Sequence, residues 1–133
     1  MPFVEVFAPH GAVAAERQAE IGNRLVAEVL RAGAAPELGT APWPVWHEVA
    51  YWAVGGQPTN ARELADYVVR INVTAASMTD ELRADLVARV TRVLADTGPA
   101  RRRHRPTAWV QLVETAAPRE RVVRFAEVAG IPG

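Results

Sequence analysis

Proline stands directly behind the initiator methionine in the opening stretch MPFVEVFAPHG. If Met1 is removed, Pro2 becomes the terminus and its nitrogen becomes a secondary amine that can hold or release a proton. An α-amine ordinarily titrates near neutrality, and burial beside apolar groups or a cation lowers its pKa further. A neutral terminal amine is then available as a general base. It can take a proton from carbon next to a carbonyl and return it at another carbon. Such chemistry needs a cationic or hydrogen-bonding partner to hold a substrate carboxylate and steady the dienolate that develops. The other reading of Pro2 is structural, because proline also starts strands without harm.

Other chemistries find little support. The 133 residues include no cysteine, which excludes disulfides, thiolate metal sites and cysteine nucleophiles. His10 falls in a turn, His47 in a strand and His104 within the run RRRHR, and the three show no metal-ligand spacing. No Gly-rich phosphate loop is present; Gly55-Gly56 reads as a hairpin turn. Neither a cofactor nor a metal is implied. Basic and acidic residues balance at 15 each, and every basic residue is an arginine, so nothing draws the chain to nucleic acid or to an anionic membrane. The arginine run at Arg101–Arg105 reads mainly as a solvated loop, being too short for a nucleic-acid face. No basic segment with an apolar core opens the chain and no apolar run approaches the roughly 20 residues of a membrane span. The expectation is a cytoplasmic protein acting on a small molecule.

The elements that must position Pro2 come in two copies. Displacing the chain by 65 positions lays Val4 and Val6 over Val69 and Ile71, Glu16 over Glu81, and Ile21, Leu25 and Val29 over Leu86, Val90 and Leu94. Each half opens with period-2 alternation, the mark of a strand with one covered face. Val4, Val6 and Ala8 point one way, against Phe3, Glu5 and Phe7; Val69, Ile71 and Val73 alternate with Val68, Arg70 and Asn72. A helix follows in each half, with apolar residues at spacings of 3 and 4: Ile21, Leu25, Val29 and Leu30, then Leu82, Leu86, Val90, Val93 and Leu94. Thr79 is placed to cap the second helix, and Gly33 and Gly98 to end the two. Second strands follow at Val45–Val49 and Trp109–Val113, where the same displacement sets Val45 on Val110.

A strand, a helix of about 20 residues and another strand make a right-handed crossover between parallel strands. The expected fold is α/β: a tandem βαβ repeat forming a four-stranded sheet with two helices on one face. It makes a single domain over 1–133, built from units at about 1–65 and 66–133. Phe3, Phe7 and Val68 lie on the uncovered face beside Glu5 and Arg70, a surface costly to leave in water, so the chain is expected to pack against copies of itself.

These features together resemble the tautomerase superfamily, whose small members are named for 4-oxalocrotonate tautomerase. The resemblance rests on MPFVEVF, on the length and phase of the strand–helix–strand unit, and on HEVAYWAVGG from His47 to Gly56. It spans nearly the whole chain, as a fused two-unit member. It implies a catalytic Pro2, a homotrimer with sheets facing inward, and a cofactor-independent tautomerase or isomerase for a small keto–enol carbonyl or 2-oxo acid. The alternatives are a hydratase, dehalogenase or decarboxylase of the same superfamily, or a non-catalytic oligomeric binding module. Trp52 matches the hairpin aromatic that walls the pocket; Trp43 and Trp46, nearby, either add to that wall or fill core. Tyr67 takes the place of Pro2 in the second half, as a hydroxyl donor or as an ordinary strand aromatic. Arg70, whose repeat partner is Glu5, reads as an ion pair within the assembly or as a substrate cation. Arg105 is the member of the arginine run best placed to reach a pocket. The chain departs from the family in its first turns, PHGAV and TAASM, which hold no arginine, and Trp43 and Trp109 stand nearest the family's remaining substrate arginine. A dianionic substrate is correspondingly disfavoured, and a less charged carbonyl compound favoured.

Overall fold

The computed structural model describes residues 3–34, 42–50, 52–54, 57–59, 67–97 and 108–115, with backbone alone for 52–54, 57–59 and 115. Along it run β1 (Phe3–Pro9), α1 (Ala15–Arg31), β2 (Trp43–Val49), β3 (Trp52–Val54), β4 (Gln57–Thr59), β5 (Tyr67–Thr74), a 3₁₀ turn (Ala75–Ser77), α2 (Asp80–Thr97) and β6 (Ala108–Thr115). Four strands form one mixed sheet in the order β2-β1-β5-β6. The outer pairs β1/β2 and β5/β6 are parallel, as crossover connections require, and the central pair β1/β5 is antiparallel. The head of each central strand therefore lies beside the tail of the other.

Alternation decides what each face meets. Val4, Val6 and Ala8 of β1 and Tyr67, Val69, Ile71 and Val73 of β5 are buried. Against them pack Ile21, Leu25 and Val29 of α1 and Leu86, Val90, Val93 and Leu94 of α2, in one core on one side of the sheet. Each such side chain contributes roughly 1.5–3 kcal/mol by leaving water. The helices are also tied together by Arg89 Nη1, which donates to Glu28 Oε2 at 3.0 Å. Leu30, expected on the apolar stripe of α1, is 47% exposed and lies off the core.

The helix ends follow local chemistry. Thr79 Oγ1 accepts the Leu82 N–H at 3.1 Å and so caps α2. Ala14, at the same place before α1, offers no side-chain cap. At the far end of α1, Gly33 takes φ +71, its N–H bonds Leu30 O, and the Ala34 N–H bonds Val29 O. That pair of bonds closes a Schellman motif, which glycine adopts without steric penalty. Gly98 lies outside the described residues. So does the Gly55-Gly56 pair, although β3 and β4 flank it as an antiparallel pair with Val54 opposite Gln57.

The repeat slips by one residue at the outer strands. Val45 is beside Glu5, on the uncovered face, whereas Val110 is beside Val69, on the helix face. The true equivalents are 66 apart, such as Pro44 with Val110 and Trp43 with Trp109. A slip of one reverses the face of every residue in a strand. Among the described residues, no helix is long and apolar enough to cross a membrane.

Candidate functional site

Pro2 is bonded to Phe3, the first described residue of β1, and itself lies outside the described residues. The surroundings of Phe3 are set by the two neighbouring strands. Parallel pairing puts Trp43 opposite Phe3, the rings meeting edge to face at 6.4 Å and 82°. Trp43 is 54% exposed, so it fills no core and stands open on the sheet's uncovered face. On the other side, the antiparallel register Val4↔Ile71 carries the tail of β5 past the head of β1. That tail turns sharply: Ser77 Oγ donates to Thr74 O at 2.9 Å and the Met78 N–H to Ala75 O at 3.1 Å. The Thr74 hydroxyl is buried and has no hydrogen-bond partner among the described residues. From Asn72 to Thr79 this corner holds no basic side chain.

The remaining sequence-derived site residues do not converge. Tyr67 is 2% exposed, faces the helices, and meets Trp46 edge to face at 6.4 Å and 77°. It sits at the opposite end of β5 from the corner beside Phe3, six residues from Val73, or about 20 Å along a strand. Arg70 is on the same strand but on the opposite face and is exposed. Trp52 falls in β3, where only the backbone is described, and Arg105 lies outside the described residues. Trp46 takes the helix side of β2, packed against the core.

The uncovered face carries a linked set of side chains. Glu5 and Arg70 are cross-strand neighbours, yet Glu5 Oε1 accepts from His47 Nε2 at 3.2 Å instead. The His47 ring stacks on Phe7 at 4.2 Å and 5°, and the Arg70 guanidinium lies 5.8 Å from the centre of the same ring. Within the chain, Arg70 thus makes a cation–π contact with Phe7. Trp109, at 55% exposure, completes an aromatic surface of Phe3, Phe7, Trp43 and Trp109 around a polar centre.

One cluster escapes a reading of single motifs. At the tail of β2, Glu48 accepts from His10 Nδ1 at 2.8 Å and from Gln18 Nε2 at 2.9 Å. At the tail of β6, Glu114 accepts from Arg83 Nε at 2.7 Å, and this bond holds the Arg83 pKa above its ordinary value. Gln18 and Arg83 are 65 apart and Glu48 and Glu114 are 66 apart, so the two links are equivalent. The signal was a glutamate near the end of each second strand, hidden by the one-residue slip. Among the described residues, no group of three His, Asp or Glu side chains could hold a metal ion.

The sequence matches no protein-family model and no curated protein. Solved structures do match. N1, a member of the cis-3-chloroacrylic acid dehalogenase family, superposes with a TM-score of 0.64 at 17% identity, over 92% of this chain and 79% of that one. The F6 fused 4-OT, an asymmetric trimer, gives 0.63 at 21% identity over 96% and 98%. Pt0534 inactivated by 2-oxo-3-pentynoate gives 0.61 at 19% identity over 85% of each chain. A four-stranded mixed sheet with two helices on one face, in this order, defines the class: an α/β fold of duplicated strand–helix–strand units. It is the fold of the tautomerase superfamily.

Proposed function

We propose that this chain is a cofactor-independent tautomerase of small keto–enol carbonyl compounds, with Pro2 as its general base once Met1 is removed. The observation that carries the reading is position. Pro2 immediately precedes a central strand, in the fold of N1, the fused 4-OT and Pt0534, and the strand's head is flanked by Trp43 and by the Thr74–Ser77 corner. In the forward step the neutral amine takes the proton from a carbon next to the carbonyl: the C–H bond breaks, an N–H bond forms, and the electron pair moves onto the carbonyl oxygen as an enolate. The same proton is then delivered to the enolate oxygen, giving the enol, or to another carbon of a conjugated enolate, and the amine is neutral again; ketonisation of an enol runs the first of these sequences in reverse. A hydrogen-bond donor or cation must meet the enolate oxygen. Arg70 of another copy, Arg105 and Trp52 are the groups proposed to line or complete the pocket; Tyr67, buried on the helix side at the other end of β5, is not one of them. With no basic residue between Asn72 and Thr79, an aryl or otherwise weakly charged substrate fits this corner better than a dianion.

The reading includes a homotrimer whose sheets face inward. Trp43 and Trp109 stand more than half exposed on one face with Phe3 and Phe7, and such a surface is ordinarily buried against a partner. The F6, W0 and R7 fused 4-OT structures are trimers. Sedimentation velocity tests this directly, with a monomer as the contrary outcome.

Phenylenolpyruvate ketonisation is the assay of choice, with 2-hydroxymuconate as the charged comparison. Pro2→Ala replaces the secondary amine by a primary one in a smaller side chain and should lower kcat/KM by about 10²–10⁴-fold. Equal rates for the two proteins remove Pro2 from the mechanism. The dehalogenase family of N1 supplies the competing chemistry, hydration with a protonated proline acting as acid. Activity that follows the charged amine through the pH profile selects that reading.

A further inference from the structure

Between α1 and β2, on the helix side of the sheet, lies a cavity of about 300 Å³ lined mainly by Ala15, Gln18, Ala19, Gly22 and Trp46. Its size is at the lower end of pockets that hold small molecules. Gly22 lets α1 approach β2 so closely that a Cβ would stand 3.0 Å from the Pro44 Cβ. The equivalent residue of α2, 65 positions on, is Val87. Trp46, half-buried against Tyr67, forms the opposite wall. This space is separate from the head of β1 and faces the other side of the sheet from Trp43.

The polar lining is defined by its hydrogen bonds. Gln18 Nε2 donates to Val13 O and to Glu48 Oε1, both at 2.9 Å. Both partners only accept, which forces the orientation of the amide and leaves Gln18 Oε1 as an acceptor. The Asn23 side chain, five residues on and about 7.5 Å along the helix axis, has no hydrogen bond among the described residues. No charged side chain lines the cavity, and the Glu48 carboxylate behind Gln18 repels an anion.

We propose that this cavity is a second ligand site, taking an uncharged, flat molecule of about two rings that stacks along Trp46 and donates a hydrogen bond to Gln18 Oε1. The site does not depend on Pro2 and goes beyond the tautomerase reading. Its test uses 2-naphthol as probe, followed by ¹H–¹⁵N spectra of the full chain. The expected result is saturable shifts confined to the amides of Ala15–Asn23 and to the Trp46 indole N–H. 2-Methoxynaphthalene, which keeps the rings and loses the donor, should bind about tenfold more weakly. Ala19→Leu, a substitution compatible with a helix, fills the space and should weaken 2-naphthol binding by at least about tenfold while leaving phenylenolpyruvate turnover unchanged. Pro2→Ala should leave the shifts intact, which separates failure of this site from failure of the Pro2 mechanism. Shifts outside the groove, equal affinity of Ala19→Leu, or no shift at millimolar 2-naphthol would each overturn the proposal.

Discussion

The two units, β1-α1-β2 and β5-α2-β6, share a frame and differ at nearly every place where chemistry could occur. Ile21, Leu25 and Val29 of one do the work of Leu86, Val90 and Leu94 in the other, all of them buried. The strand heads differ, Pro2 against Tyr67, and so do the corners that follow the central strands, Pro9-His10-Gly11 against Thr74-Ala75-Ala76. The strand-end glutamate is held by a neutral amide and a histidine in the first unit and by a guanidinium in the second. Buried Gly22 of α1, against Pro44, stands where α2 has the exposed Val87. Packing fixes the repeated positions because each core residue must fill its share of one interior. Sites at strand ends and helix starts are free of that demand, and there the halves diverge.

The largest effects should come from the shared frame, and they should match. Ile21→Ala and Leu86→Ala each remove a fully buried branched side chain, and each should cost about 2–5 kcal/mol in urea unfolding. A cost in one unit near zero would mean that the core is not shared as described. Next come the helix starts, where the units should respond in opposite directions. Thr79→Ala removes the cap of α2 and should destabilise by about 1 kcal/mol. Ala14→Asp supplies a cap that α1 lacks and should stabilise by a similar amount. Thermal unfolding of the two variants side by side checks the pair.

The smallest effect concerns the contact between the units. The hydrogen bond from Arg89, helped by Arg31, holds the Glu28 carboxyl below its ordinary pKa. A carboxyl depressed in the folded state stabilises above its unfolded pKa, and that contribution is lost as pH falls through the folded value. Glu28→Gln should therefore lower Tm slightly at neutral pH, and the gap from wild type should close in acid. A gap that widens in acid would contradict the assignment.

The sequence alone makes the frame legible because alternation and helical spacing are enforced by burial. Val4, Val6 and Ala8, and Val69, Ile71 and Val73, face the helices as their period demands. The outer strands carry apolar residues on both faces, Val45 and Trp46 in one and Trp109 and Val110 in the other, so nothing in the pattern reveals the extra residue that moves the repeat from 65 to 66. Leu30 looked like core because it follows Val29, yet it turns off the stripe. Arg70 was legible as a cation on the uncovered face; its choice of Phe7 over Glu5 was not, because His47 comes from a strand whose register the sequence misplaced. The His10–Glu48–Gln18 cluster joins three segments and has no local signature.

The account rests on a reactive neutral nitrogen at Pro2, and 2-oxo-3-pentynoate tests it most directly. This compound inactivates Pt0534. A neutral secondary amine adds to its triple bond, forming an N–C bond while the amine proton passes to carbon. Mass spectrometry of the treated full-length chain should find Met1 absent and one adduct per chain, located on Pro2, appearing in step with loss of phenylenolpyruvate turnover. An unmodified amino-terminal peptide, or one still beginning with Met1, in a protein that keeps its activity would contradict it.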